Sequence, residues 1–180
     1  MPARRPLAAM NLRASSFALL FLAYSAAFGA GEEDIGFATA SSIPPHVMAA
    51  FAKFPSSDKY AFSAHINPFY VQGDFNGDGK LDAAILIKHK ATGKAGFAIV
   101  HGGSTTVRIF GAGRSFGNGG DNFSWQDAWY TYAKGKVGKG AEEHTPPQLS
   151  GDAIMVIKTE SASAMVYWDG AQYRWYQQGD

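Results

Sequence analysis

The chain has 180 residues, of which 46% are hydrophobic and 14% aromatic, which is enough material for one packed domain but too little for two. Its 16 Lys and Arg residues nearly balance its 15 Asp and Glu residues, so the net charge of +1 offers no bulk field for nucleic acid or an anionic membrane. The absence of cysteine excludes a disulfide framework and a lipoprotein anchor, so stability must come from core packing, with or without a bound ion.

The first 29 residues have the pattern of a signal peptide for export. Three arginines precede an apolar run that ends in small residues, and cleavage after Gly29 or after Ala27 suits a signal peptidase. A membrane anchor helix is the alternative, although the run is shorter than the ~20 residues that span a bilayer. We therefore expect a protein of the bacterial periplasm or exterior, with no stable membrane insertion after the signal peptide is removed.

The mature chain begins with a polar segment and a short helix. Residues 30–45 are rich in small and polar residues and end in two prolines, which predicts a flexible leader. Residues 46–180 form a single β-rich domain in this interpretation, and its first element is one amphipathic helix. Four apolar residues at helical spacing predict that helix: Val47, Ala50, Phe51 and Phe54.

From residue 60 onward the hydrophobic pattern changes to that of β-strands. Short apolar or β-branched runs alternate with glycine-rich turns, and residues 91–94 and 168–172 have the composition of hairpin turns. This pattern predicts an all-β fold, an antiparallel meander or a sandwich of six or seven strands. The glycine-rich segment at residues 111–140 predicts no definite element. The predicted strands are YAFSAHINPFYV, DAAILIKH, AGFAIVHG, TTVRIFG, DAIMVIKTE, SAMVYWDG and QYRWYQQ.

The strongest chemical signal is the acidic loop in VQGDFNGDGKLDAAILI, residues 71–87. Oxygen-bearing side chains alternate along it, and a glycine at the sixth position permits a sharp turn. Three carboxylates within nine residues repel one another unless a cation neutralises them. The loop therefore predicts a calcium site. Its ligands would be Asp74, Asn76, Asp78 and Asp82 through side chains and Lys80 through its carbonyl oxygen.

The loop is not that of an EF-hand. An EF-hand carries a bidentate glutamate at position 12, whereas Ile85 occupies that position here. The stretch GDFNGDGKLDAAILI instead resembles the calcium loop of FG-GAP repeats, which occur in integrin alpha propellers and in bacterial exported proteins. The chain contains no second copy of the loop, so a complete propeller is excluded. One calcium-bound hairpin within a propeller-blade-like β domain is the expectation.

A second resemblance covers the C-terminal third of the chain. The segment ESASAMVYWDGAQYRWYQQGD resembles the closing part of small bacterial periplasmic proteins that pair one calcium loop with a compact β domain. Some proteins of that type resemble periplasmic lysozyme inhibitors and act as immunity proteins against cell-wall hydrolases. The resemblance implies a protein partner. A polar loop carrying Glu160, Ser161 and Ser163 would enter the active cleft of that partner, although an ordinary hairpin connection is an equally good interpretation.

Catalytic motifs are lacking in the sequence. The five histidines have no zinc-ligand spacing, and no nucleophile elbow is present. We therefore expect a non-catalytic protein. A hydrolase that uses Asp121 and Asp127 as an acid and a base is one alternative.

A carbohydrate- or surface-binding module is the other alternative. Such a module would bind sugars by stacking them on exposed aromatic residues, and the chain has two groups of aromatic residues. Most aromatic residues of a small β protein, however, belong to the core. Alternation along the last strand predicts one face for Tyr173 and Trp175 and the opposite face for Tyr176. The two groups are Trp125, Trp129, Tyr130 and Tyr132, and then Tyr167, Trp168, Tyr173, Trp175 and Tyr176.

Overall fold

A computed structural model describes residues 37–141 and 145–179 of the chain. The predicted signal peptide and residues 30–36 of the predicted leader lie outside the described residues. The described elements, in chain order, are α1 (Phe37–Ser42), α2 (Pro45–Ala52), a 3₁₀-helix (Ser57–Lys59), β1 (Tyr60–Phe62), β2 (Tyr70–Gly73), β3 (Asp82–His89), β4 (Ala95–Val100), β5 (Val107–Gly111), a second 3₁₀-helix (Gly117–Gly119), β6 (Ala128–Tyr132), β7 (Ala153–Lys158), β8 (Ala162–Trp168) and β9 (Tyr173–Gly179).

The strands form two antiparallel sheets, which confirms the all-β prediction. In sheet A, β3 pairs with β4 on one edge and with both β1 and β2 on the other, and β5 pairs with β4. The run at residues 60–71, which the sequence predicts as one strand, is therefore two strands separated by a loop. Sheet B is a meander in which β6, β7, β8 and β9 pair in chain order.

The start of the described chain is helical where the sequence predicts a flexible leader up to residue 45. Helix α1 ends at Ser42, and α2 begins directly afterwards with Pro45 in its first turn, a position that suits the fixed φ of proline. Ile43, between the helices, is only 3% exposed and belongs to the core. The polar composition of the segment conceals this one apolar contact, which holds the chain against the domain.

Sheet A is buried on both faces. Along β3, Ala84 and Leu86 point to a core that also contains Ile154 and Val166 of sheet B, so the two sheets pack face to face. The alternate residues of β3 pack against Ile43 and helix α2, and six consecutive residues of this strand are buried. Burial on both faces explains why β3 reads as a continuous apolar run rather than an alternating pattern.

The other face of sheet B is covered by the segment that precedes β7. Val137 lies in this segment and packs against Met155, Met165 and Tyr176. The segment at residues 111–140, which the sequence leaves unassigned, thus supplies the second 3₁₀-helix, the edge strand β6 and part of this cover. The described residues all belong to one compact unit.

Two side chains of β6 hydrogen-bond to the backbone around β2. The indole N–H of Trp129 donates to the carbonyl oxygen of Pro68 over 2.6 Å, and the hydroxyl of Thr131 donates to that of Gln72 over 2.8 Å. Both bonds are partly buried, and an acceptor left unpaired in such a place costs more free energy than one at the surface. They join the two sheets along the β2–β6 seam and so position the loop that follows β2.

Replacement of Gly96 tests the close approach of β4 and β5. A Cβ atom there would overlap the carbonyl oxygen of Phe110 and lie 2.5 Å from the amide nitrogen of Ala112. We expect Gly96→Ala to lower the free energy of unfolding by about 1–3 kcal/mol, the usual cost of overpacking. Urea unfolding measures the difference. In the control variant Gly135→Ala the new Cβ meets no atom closer than 3.5 Å, and its unfolding should match that of the wild type. Equal unfolding midpoints for the wild type and both variants would contradict the close approach of β4 and β5.

Candidate metal centre

The acidic loop connects two paired strands of sheet A. Gly73 at the end of β2 lies opposite Asp82 at the start of β3, so the pairing brings the first and ninth positions of the loop together. Gly77 and Gly79 within the loop have φ angles of +74° and +79°. Glycine adopts this left-handed conformation without steric cost, which permits the tight curl between Asp74 and Asp82.

Backbone N–H groups of the loop turn its side-chain oxygens inward. The amide of Asp78 donates to Oδ1 of Asp74 at 3.0 Å and to Oδ1 of Asn76 at 3.1 Å, so these two oxygens lie close to one nitrogen. Gly79 N–H donates to the other oxygen of Asp74 at 2.9 Å, and Lys80 N–H donates to Oδ1 of Asp78 at 2.9 Å. Each oxygen can accept a second interaction, because an ionised carboxylate has about four lone-pair sites.

Asp82 has a different environment from the other loop carboxylates. Its side chain is fully buried, and its two oxygens accept hydrogen bonds from the amides of Phe75 at 2.9 Å and Gly102 at 2.7 Å. Burial raises the pKa of this carboxyl group, and the two backbone donors together with nearby His101 oppose that rise. Asp82 thus closes the loop from within and links it to the turn after β4.

At the exposed side of the loop, Asp78 is paired with Lys80. Its Oδ2 lies 3.6 Å from the ammonium nitrogen of Lys80, and the pKa of Asp78 is lowered, chiefly by the hydrogen bond from the Lys80 amide. An exposed ion pair of this kind contributes little to the stability of the fold, because water and salt screen it. Within the described residues there is no group of three or more His, Cys, Asp or Glu side chains placed to hold a metal ion. A site here would depend also on the amide of Asn76 and on a backbone carbonyl.

Asp152 anchors the loop to sheet B, a role that the sequence did not reveal. Its Oδ2 accepts from the Asp74 amide at 3.0 Å, and its own amide donates to the carbonyl oxygen of Asp74 at 2.7 Å. Its Oδ1 accepts from the backbone amide of Lys134 at 2.8 Å. Gly77 and Gly151 permit this contact, since a Cβ atom on Gly77 would lie 2.9 Å from the carbonyl oxygen of Ser150, and one on Gly151 would overlap the carbonyl oxygen of Asp74. The loop is therefore part of the junction between the sheets.

A buried polar chain lies behind the loop. Nδ1 of His101 is 3.2 Å from Nδ2 of Asn76, and Nε2 of His101 is 3.0 Å from the hydroxyl of Tyr173 in β9. Burial lowers the pKa of His101 and raises that of Tyr173. Sequence reasoning found neither contact, because His101 and Tyr173 have no motif spacing relative to the loop.

The predicted partner residues do not all lie in a loop. Glu160 and Ser161 are exposed in the turn between β7 and β8, whereas Ser163 lies in β8 and pairs with Ile157 and Gly179. Glu160 has a φ of +57°, an uncommon conformation for a residue other than glycine. Only Glu160 and Ser161 are therefore presented by the turn itself.

Asp127 holds the turn between β7 and β8. Its Oδ1 accepts from both the amide and the hydroxyl of Thr159 at 2.8 Å, and Lys158 lies 3.3 Å from its Oδ2. The pKa of Asp127 is lowered, first by the hydrogen bond from the Thr159 amide. Asp121, the other carboxylate considered for catalysis, pairs with Lys94. Both carboxylates thus have local partners that orient loops.

The aromatic side chains pack mainly against one another. Trp129 is 4% exposed, and Trp125 and Trp175 are half-buried with ring centroids 6.4 Å apart. Tyr173 and Trp175 contribute to the core between the sheets, and Tyr176 to the core on the opposite face, as alternation predicts. Among the large hydrophobic side chains described, Tyr130 is notable in being 47% exposed.

Comparison of the chain with protein-family models, with curated proteins and with solved structures found no match. Within the described residues, no helix is both long and apolar enough to cross a membrane.

Removal of the Asp152 side chain tests the anchor. We expect Asp152→Ala to reduce the free energy of unfolding by about 1–3 kcal/mol, because the part-buried amide of Asp74 loses its acceptor. Chemical denaturation in calcium-free buffer measures this loss. Asp58→Ala removes an exposed aspartate from the first 3₁₀-helix and should shift stability by no more than ~0.5 kcal/mol. Equal losses in the two variants would contradict the anchoring role.

Proposed function

We propose that this protein is an exported, non-catalytic, calcium-stabilised binding domain that inhibits a cell-wall hydrolase. The observation that carries the proposal is the inward orientation of the loop oxygens, in which Asp74 and Asn76 share the amide of Asp78 as donor. Oxygen ligands from carboxylate, amide and carbonyl groups suit a hard cation such as Ca²⁺. The ligands in this proposal are Asp74, Asn76, Asp78, Asp82 and the carbonyl oxygen of Lys80.

The proposed role of calcium is structural. A bound cation would neutralise the carboxylates of the loop, and the loop backbone at Asp74 is also hydrogen-bonded to Asp152, next to the start of β7 in sheet B. Stabilisation of the loop by an ion is therefore stabilisation of the junction between the sheets. Residues 1–29 support export, since their pattern is that of a signal peptide.

The turn at Glu160 and Ser161 supports the inhibitory role. It is exposed, it carries a carboxylate and a hydroxyl, and the two hydrogen bonds that Thr159 donates to Asp127 limit its motion. An ordered polar turn loses less conformational entropy on binding than a mobile one. In this proposal the turn enters the active cleft of a lysozyme-like hydrolase and hydrogen-bonds to its catalytic groups.

The proposed calcium loop and this turn adjoin opposite ends of strand β7. The loop contacts Asp152, next to the start of β7, whereas the turn follows Lys158 at the end of that strand. The six residues of β7 span about 20 Å. Calcium therefore supports the domain as a whole, and Asp127 holds the turn locally.

Thermal unfolding tests the calcium site. With excess Ca²⁺ the melting temperature should rise relative to EGTA, because a ligand present at about 100 times its Kd stabilises the folded state by about 2.7 kcal/mol. Asp78→Ala should abolish the rise by removing an oxygen ligand. Asp58→Ala, a matched exposed aspartate outside the loop, should retain it. Identical melts of the wild type in calcium and in EGTA would refute the site.

Inhibition of a lysozyme-like hydrolase tests the partner surface. Glu160→Gln combined with Ser161→Ala should weaken inhibition by about 30-fold, the equivalent of ~2 kcal/mol for residues at the centre of an interface. Gln172→Ala, in the exposed turn between β8 and β9, serves as the control and should leave inhibition unchanged. Hydrolysis of cell walls measures inhibition, and sedimentation with insoluble peptidoglycan measures the rival activity. Binding to the glycan with no effect on the enzyme would favour the carbohydrate-binding alternative instead.

A further inference from the structure

We infer that His101 is a positioning residue that orients the amide of Asn76 so that its oxygen faces the cation position of the loop. This inference deepens the proposed calcium site and rests on it. Its basis is a continuous set of short contacts that runs from the Asp78 amide through Asn76 and His101 to Tyr173. Those contacts join the loop to β9 through the turn after β4.

The orientation of Asn76 follows from its two neighbours. The Asp78 amide can only donate, and it lies 3.1 Å from Asn76 Oδ1, so the oxygen of Asn76 faces the loop. The nitrogen of Asn76 then faces His101 Nδ1 at 3.2 Å. Because the Asn76 nitrogen can only donate, Nδ1 must be the acceptor and must carry a lone pair.

The tautomer of His101 follows in turn. With a lone pair on Nδ1, the neutral ring carries its proton on Nε2, which lies 3.0 Å from the hydroxyl oxygen of Tyr173. His101 is 8% exposed and Tyr173 is 7% exposed, so water has little access to satisfy either group in another arrangement. The Tyr173 hydroxyl can accept the Nε2 proton, so the tautomer that accepts from Asn76 leaves neither ring nitrogen of His101 without a partner.

Rotation of the Asn76 amide would replace a ligand oxygen with an NH₂ group. A cation would then face a donor instead of an acceptor, and the site would lose one ligand. Groups that orient a metal ligand without touching the metal typically change affinity by about 10- to 100-fold when they are removed. The same geometry gives a reason for asparagine rather than aspartate at this position, because a carboxylate has no hydrogen to donate to Nδ1.

Two substitutions of His101 form a matched pair. His101→Asn keeps an acceptor oxygen near the position of Nδ1 and loses the contact to Tyr173. His101→Gln reaches the position of Nε2, so it keeps the contact to Tyr173 and loses the acceptor for Asn76. Each variant gives up one buried hydrogen bond of the pair, so a merely structural role predicts similar stability and similar calcium affinity for both.

Calcium titration by isothermal calorimetry separates the variants. We expect His101→Gln to bind Ca²⁺ about tenfold more weakly than wild type, and His101→Asn to bind within a factor of about three. In an Asn76→Asp background the two His101 variants should bind alike, since a carboxylate presents an oxygen in either orientation, and this double-mutant cycle isolates the coupling. Equal affinities of His101→Gln and wild type, with calcium still bound, would overturn the positioning role alone.

Nitrogen-15 NMR of the calcium-free protein gives a readout that does not need the ion. The His101 ring should show a protonated Nε2 and an unprotonated Nδ1. A protonated Nδ1 in the wild type would overturn the inference whether or not calcium binds. Failure of the wild type to bind Ca²⁺ at all would overturn the proposed function and this inference together.

Discussion

Burial of β3 on both faces is the constraint on which the rest of the structure depends. Six of its residues are buried, so the chain must supply apolar cover from helix α2 and Ile43 on one side and from sheet B on the other. One of the six is Asp82, the first residue of the strand, and its buried carboxylate needs a hydrogen-bond donor for each oxygen. The amides of Phe75 and Gly102 provide them, and this requirement brings the acidic loop and the turn after β4 together.

The loop connects parts of the fold that are distant along the chain. Its backbone exchanges two hydrogen bonds with Asp152 in front of β7, and Asn76 contacts the buried pair of His101 and Tyr173. Interactions at this junction affect both sheets, because neither sheet can move relative to the other without breaking them. A cation bound in the loop would therefore stabilise more than a turn, which is the physical basis of the proposed structural role.

The proposed partner surface is separate from the proposed ion site. The turn of Glu160 and Ser161 is held by Asp127, which belongs to the segment before β6, and it lies at the far end of β7 from the loop. Most of the aromatic side chains that a carbohydrate-binding surface would use instead fill the space between and beside the sheets. This distribution favours recognition by a polar turn over stacking on sugar rings.

The sequence by itself determined the features that depend on local spacing. Alternation of apolar residues predicted the strands and the opposite faces of Trp175 and Tyr176, and the oxygen-bearing residues from Asp74 to Asp82 predicted the loop and its curl. These predictions succeed because strand pleat and turn geometry involve residues only a few positions apart. Burial of Ile43 was not foreseen, and the sequence left residues 128–132 open between a strand and a helical turn, since short polar or glycine-rich stretches have no clear period.

Only the tertiary structure decided which distant residues complete the site. Asp74 meets Asp152 across 78 positions of sequence, Asn76 meets His101 across 25, and His101 meets Tyr173 across 72. No local rule encodes these contacts, because they result from how sheet A packs on sheet B and from the need of buried polar groups for partners.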